Sequence, residues 1–266
     1  MMSNLVFLKL GGSLITDKTR EETVRPDVLA RLAIEIKNAI ETKSELSLLI
    51  SHGSGSFGHV AASKHGTRQG VHTRSDWIGF AEVSSAAARL HGQVRQALVD
   101  AGVPAVTFQP SASAICEDGS IVTLSVQQIE VTLREGLVPI VYGDVAIDTV
   151  RGGTIISTEE ILTYLAKKLE PSSILLAGET GGVLDGEGTV IDVVRSSDIK
   201  EIKQALSGSR GTDVTGGMAS KVEGMMELAT TQPSLQIRIF SGLVEGAVER
   251  CLTVEDPGIG TLISSS

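Results

Sequence analysis

Six short aliphatic runs, at residues 5–10, 46–50, 103–108, 137–142, 173–177 and 235–240, punctuate this chain. Each is too brief for a buried helix and is rich in Leu, Ile and Val, the pattern of strands covered on both faces. Helical spacing fills the gaps. Pro26 stands at a first-turn position, and Leu29, Leu32, Ala33, Ile36 and Ile40 then recur on one face. Further helices are predicted over 76–101, 126–135, 157–169, 198–206, 218–229 and 244–251, the first two stopped by Gly102 and Gly136. Ser157, Thr158, Glu159 and Glu160 make a capped start for the third. The remaining pieces read as hairpins at 145–156, turning at Gly152-Gly153, and at 183–194, with short strands at 121–124 and 259–263. Strand–helix alternation of this kind builds βαβ units. The expected fold is therefore α/β, a three-layer αβα sandwich with a mostly parallel central sheet.

Composition supports that reading and removes several functions. Hydrophobic residues make up 41% of the 266-residue chain but aromatics only 3%, so the core must be aliphatic. One domain over 1–266 is expected. The formal net charge is -9 and no Lys/Arg run exceeds two residues, which argues against a nucleic-acid partner. Cys116 and Cys251 form neither a disulfide framework nor a metal pattern and read as reduced structural thiols. The N-terminus has no basic region, and no apolar run approaches the roughly 18 residues of a membrane span, so a cytoplasmic protein without a membrane partner is expected.

Three of the loops between elements are built for anions. Lys9-Leu10-Gly11-Gly12-Ser13 follows the first run, and His52-Gly53-Ser54-Gly55-Ser56-Phe57-Gly58-His59 follows the second. Asp213-Val214-Thr215-Gly216-Gly217-Met218 leads to Lys221. Glycines at a strand end leading into a helix leave backbone N–H groups bare, and these cradle phosphates. No segment fits the P-loop pattern G-x-x-x-x-G-K-[ST]. Residues 53–58 match G-x-G-x-x-G, but no acidic residue follows at the distance a dinucleotide ribose needs. The loops instead predict phosphoryl transfer, with ligand beyond the carboxyl ends of the strands.

Taken together these motifs, with Lys18, Gln109-Pro110-Ser111 and Tyr142-Gly143-Asp144, resemble the amino acid kinase superfamily over essentially the whole chain. Within it the second histidine of the central loop is similar to that of the isopentenyl phosphate kinases. The resemblance implies transfer of the γ-phosphoryl of ATP to isopentenyl phosphate, with Mg²⁺ bridging ATP oxygens and a homodimeric assembly. It places Lys9, Lys18, His59 and Lys221 in catalysis. Gly53, Ser54, Gly58, His59 and Thr158 would meet the acceptor, a prenyl monophosphate. ATP would lie against Lys9, Gly11, Gly12, Ser13, Gly55, Glu179, Gly216, Gly217 and Lys221, and no metal site belongs to the protein itself. Residues 1–170 would form an acceptor lobe and 171–266 a nucleotide lobe.

Other readings accompany these. His52 is expected to be structural more than chemical, as are His65, His72 and His91; Met218, Met225 and Met226 read as core. Trp77, Ile78, Phe80 and Val83 fit a prenyl pocket and ordinary helix packing equally well. Asp144 and Asp213 either order their loops or touch ligand. The chain departs from the family pattern at Ser54, where a third glycine is usual, and at Ser157-Thr158-Glu159-Glu160 in place of Ser-Gly-Asp-Asp. Gly178-Glu179-Thr180-Gly181-Gly182 replaces Thr-Asp-Val-Asp-Gly. Three alternatives stay open: a kinase for another small phosphate or phosphonate, of the fosfomycin-resistance type; a nucleotide-binding sensor; and a dehydrogenase.

Overall fold

The computed structural model describes residues 4–198 and 217–265, without the side chains at 59, 60 and 217. The expected helix at 198–206 lies outside the described residues beyond Asp198, which ends a 3-10 turn, and so do Asp213 and Gly216 of the third glycine loop. The main sheet has eight strands in the order β10-β12-β11-β9-β1-β2-β6-β3. These are β1 (Leu5–Leu10), β2 (Ser47–His52), β3 (Ala105–Thr107), β6 (Val138–Tyr142), β9 (Ser173–Gly178), β10 (Val193–Arg195), β11 (Gln236–Ser241) and β12 (Thr261–Ser264). Only the β11–β12 pairing is antiparallel.

β1 shows why. All six of its residues are buried, and they alternate between two cores. Leu5 and Phe7 pack into the one that takes in α6 (Thr158–Leu169) and α7 (Gly217–Thr231). Val6, Leu8 and Leu10 pack into the other, with α2 (Pro26–Thr42), α4 (Arg74–Asp100) and α8 (Ala247–Thr253). A strand apolar on both faces has to sit between two helical layers, each buried aliphatic side chain contributing about 1.5–3 kcal/mol. Two further helices flank these layers, α3 (Gly55–His65) and α5 (Gln127–Arg134), and a single turn, α1 (Gly12–Ile15), follows β1.

Local chemistry sets the helix ends. α2 opens on Pro26, as expected. Thr73 and Asp76 close a capping box on α4, and Ser157 and Glu160 do so on α6. The buried carboxylate of Glu35 on α2 accepts from the N–H groups of Gly246 and Val248 at 3.1 and 3.0 Å, holding the start of α8.

Three expectations need correction. A second sheet, order β5-β4-β7-β8, stands beside the first; it comprises β4 (Ile115–Glu117), β5 (Ser120–Thr123), β7 (Asp144–Asp148) and β8 (Gly152–Ile156). The 145–156 hairpin exists, but it turns at residues 149–151, and Gly152 and Gly153 open β8. Those glycines answer a packing need: a Cβ at 152 would lie 2.2 Å from the Val71 carbonyl, and one at 153 would lie 2.9 Å from the Phe80 ring. The 183–194 segment contributes one isolated bridge, Leu184 to Val190, and then β10 of the main sheet. Cys116 and Cys251 are buried free thiols, pushed up to about 11 and about 12 by burial. Met225 and Met226 are core.

Candidate active site

Because β9, β1, β2 and β6 run parallel, their carboxyl ends arrive together: Ala177 pairs with Leu10, Leu10 with His52, and His52 with Tyr142. The loops that follow surround a cleft of about 1240 Å³. A sheet edge of this kind is where ligands of open α/β folds bind.

The first two glycine loops are pressed against each other. A Cβ on Gly12 would stand 2.4 Å from the Gly55 nitrogen, and one on Gly53 2.9 Å from the Gly12 nitrogen. Gly55 has φ +49, and a Cβ there would meet Thr16 Oγ1 at 2.2 Å. Thr16 locks the pair, its hydroxyl donating to the Gly12 carbonyl at 2.7 Å and accepting from Ser56 N–H at 3.0 Å. The N–H of Gly11 is spent on the Ala177 carbonyl and that of Gly53 on the Leu10 carbonyl. The cradle therefore consists of the N–H groups of Gly12, Ser13, Ser54 and Gly55, which have no protein acceptor among the described residues. The expectation that Gly53 would donate there is corrected.

Lysines face this cradle. Lys9, almost fully buried at the end of β1, ion-pairs with Glu159 in the first turn of α6. Burial alone would raise the Glu159 carboxyl, but the charge and hydrogen bond of Lys9, together with the charge of Lys221, outweigh it and hold the group below the usual carboxylate range. Glu159 is thus ionised, paired with Lys9 and in the field of Lys221, which lines the same cleft from the other half of the chain. Lys18 lines the same cleft from the connection between α1 and α2. Such a set neutralises spread negative charge from several directions.

Behind the central loop lies a stack of three buried rings. Tyr142 is 4.3 Å from His91 and 5.4 Å from His52 between centroids. His52 Nε2 meets His91 Nδ1 at 3.1 Å, and His91 Nε2 meets Thr107 Oγ1 at 2.7 Å. Burial, then the charge of His91, pushes His52 down to about 3; burial, then Arg95, pushes His91 down to about 4. Both rings are neutral at physiological pH, which fits the structural reading of His52.

The cleft gathers Lys9, Gly11, Gly12, Ser13, Lys18, Gly53, Ser54, Gly55, Gly58, Thr158, Glu179 and Lys221. Gly217 opens α7. The side chain of His59 lies outside the described residues. Thr158, larger than the family's glycine, turns its hydroxyl to the His52 carbonyl at 2.8 Å. Asp144 orders its surroundings, accepting from Ser84 Oγ at 3.3 Å and Ser111 N–H at 3.2 Å. Of the four apolar residues that fit a prenyl pocket and helix packing equally well, only Val83 lines the cleft, which Ala62, Ala87 and Ile156 also line; Trp77 and Phe80 pack on each other.

Sequence reasoning missed three charged residues. Glu159 was legible as part of a helix start and of a departure from the family pattern, but not as the partner of Lys9. Arg68 lies in a stretch that reads as a polar surface excursion, yet it enters the cleft wall and grips Glu160 at 2.7 and 3.2 Å. Arg25 ion-pairs with Glu179 at 3.0 Å. No local pattern marks either arginine.

The geometry has counterparts. Residues 4–241 match the model of the amino acid kinase family. This chain belongs to the amino acid kinase family. An isopentenyl phosphate kinase of Methanothermobacter thermautotrophicus is 35% identical over 95% of this chain and 96% of its own. One from Haloferax volcanii is 39% identical over 85% of this chain and 88% of its own. A family structure described as X-ray structures of isopentenyl phosphate kinase superposes with a TM-score of 0.82 at 31% identity, covering 98% of this chain and 100% of that one. Carbamate kinase from Giardia lamblia, at 12% identity and a TM-score of 0.71, covers 100% of both chains and shares the fold.

Proposed function

We propose that this chain transfers the γ-phosphoryl of ATP to isopentenyl phosphate, yielding isopentenyl diphosphate and ADP. The observation that carries the reading is a cleft lined by Lys9, Lys18 and Lys221, with Lys9 paired to Glu159 beside bare N–H groups, in a chain 35% identical to an isopentenyl phosphate kinase over 95% of its length. An oxygen of the acceptor phosphate attacks the γ-phosphorus as the bond to the β,γ-bridging oxygen breaks. A phosphate monoester is already anionic near neutral pH, so no general base is needed, and catalysis reduces to positioning and charge neutralisation.

Residues divide by lobe. The acceptor phosphate lies against Gly53, Ser54, Gly58 and His59 of the 1–170 lobe, with Thr158 beside it. Val83, Ala62, Ala87 and Ile156 give the cleft an apolar wall suited to a prenyl tail. ATP lies against Gly11, Gly12, Ser13, Gly55, Glu179, Gly216, Gly217 and Lys221, reaching into the 171–266 lobe. Lys9 and Lys18 straddle the transferring group. The cleft's lysines and bare N–H groups suit the phosphates of a nucleotide, with which Mg²⁺ would arrive. When bound, that ion would supply charge neutralisation on the ATP phosphates. A cytoplasmic homodimer rests on the family resemblance; among the described residues no helix is long and apolar enough to cross a membrane.

ADP release with ATP and Mg²⁺, measured over isopentenyl phosphate, dimethylallyl phosphate, a short alkyl phosphate, fosfomycin, glutamate and UMP, tests the reading. Turnover best with isopentenyl phosphate is expected. Silence on prenyl phosphates with turnover of another acceptor would keep the kinase and remove the substrate.

A further inference from the structure

The rings behind the central loop form a directed chain. The carbonyl oxygen of Gly53 can only accept, so His52 Nδ1, 3.1 Å away, carries the proton and donates to it. The neutral ring then offers Nε2 as an acceptor, and His91 Nδ1, at 3.1 Å, must donate. His91 Nε2 is in turn the acceptor of the Thr107 hydroxyl at 2.7 Å. With both rings neutral, every ring nitrogen is satisfied when both histidines carry the proton on Nδ1. The chain runs from β3 through α4 to the first residue of the glycine loop.

Its end point matters because a peptide unit is planar and trans, so its C=O and N–H point in opposite directions. Fixing the Gly53 carbonyl fixes the N–H of Ser54, one of the four cradle donors with no protein acceptor among the described residues. The preceding peptide is pinned as well: Thr158 holds the His52 carbonyl, and Gly53 N–H is held by Leu10. We infer that His91 is a positioning residue, acting through the His52 ring to aim the Ser54 N–H at the acceptor phosphate. This rests on the functional reading above, which places that phosphate at the central loop. The groups facing the pair are Tyr142, stacked on both rings, Arg95 one turn along α4, and Asp144 just beyond Tyr142.

Two substitutions separate aiming from packing. His91→Phe keeps a ring in the stack and removes the donor, whereas His91→Asn keeps an N–H near the Nδ1 position. KM for isopentenyl phosphate should rise about tenfold in His91→Phe, as for one misaimed hydrogen bond to a charged group, with KM for ATP unchanged; His91→Asn should restore most of it. Imidazole ¹⁵N NMR of the wild-type protein at pH 7 should show both buried rings neutral and protonated on Nδ1. The proposal is overturned if His52 carries its proton on Nε2, if His91→Phe binds acceptor as the wild type does, or if both variants lose acceptor and ATP affinity alike. Wild-type protein that does not turn over isopentenyl phosphate would sink the functional reading instead. The Kd of inorganic phosphate, weakened by His91→Phe and recovered by His91→Asn, would then still report the aiming of the loop, and its indifference to both would overturn it.

Discussion

The ammonium of Lys9, at the end of β1, is paired with the carboxylate of Glu159, 150 residues further along and in the first turn of α6. The pair crosses the floor of the cleft. It holds the Lys9 ammonium in the cleft, and it keeps Glu159 ionised although burial opposes that.

Glu159→Gln should therefore cut kcat by about 10–10²-fold, the scale of a displacement of about 1 Å at a reacting centre, while the protein stays folded. Glu159→Asp keeps the charge on a shorter arm and should fall between. Steady-state kinetics checks both, and a fully active Gln variant would mean that Lys9 is held by other means.

Gly12 touches the central loop so closely that any side chain must push the two loops apart. Its Cβ would stand 2.4 Å from the Gly55 nitrogen and 2.7 Å from the Gly55 Cα, and backbone cannot rotate out of the way. Gly12→Ala should lose about 1–3 kcal/mol of stability and most of its turnover. Denaturant unfolding measures the first, and ADP release the second. Unchanged values for both would show that the loops separate freely.

Arg25 and Glu179 form a half-exposed ion pair between the start of α2 and the loop after β9. Its contribution to stability should be under about 1 kcal/mol. Removing one partner has opposite consequences for an anionic ligand. Arg25→Ala leaves the Glu179 carboxylate unpaired in the cleft and should raise KM for ATP severalfold; Glu179→Ala leaves a cation there and should not. Equal increases in both variants would mark the pair as a strap rather than an electrostatic setting.

The buried histidines make stability depend on pH. Both folded-state values lie below the ordinary 6.5, at about 3 and about 4, so the unfolded chain binds more protons in that interval. Their stabilisation is complete above pH 6.5 and is lost as pH falls toward the folded values. Between pH 6.5 and 5, the wild-type Tm should drop more steeply than that of His91→Phe, in which one of the two groups is gone. Parallel curves would mean that the rings are protonated in the folded state.

How much of this was written locally can be judged residue by residue. Leu5 to Leu10 announces a strand buried on both faces because its aliphatic pattern leaves no polar side, and Pro26, Ser157 with Glu160, and Gly102 mark helix ends through interactions spanning only a few residues. The first two glycine loops with Lys9, Lys18 and Lys221 likewise fall on one cleft as the alternation of strands and helices implies, since parallel strands bring their carboxyl ends to the same edge. The sequence by itself thus determined the sandwich, the edge that carries the site, and most of the residues on that edge. Only the tertiary structure decided the partners. Lys9 with Glu159, Arg25 with Glu179, Arg68 with Glu160, and His52 with His91 join segments separated by 39 to 154 positions, and no local spacing encodes which distant charge or ring will face another. It also decided which N–H groups remain free, because that depends on which neighbouring strand's carbonyl lies within reach: Leu10 takes Gly53, Ala177 takes Gly11, and Ser54 is left to point outward. Periodicity selects elements through short-range sterics and burial, whereas pairing within a site is set by how those elements cross.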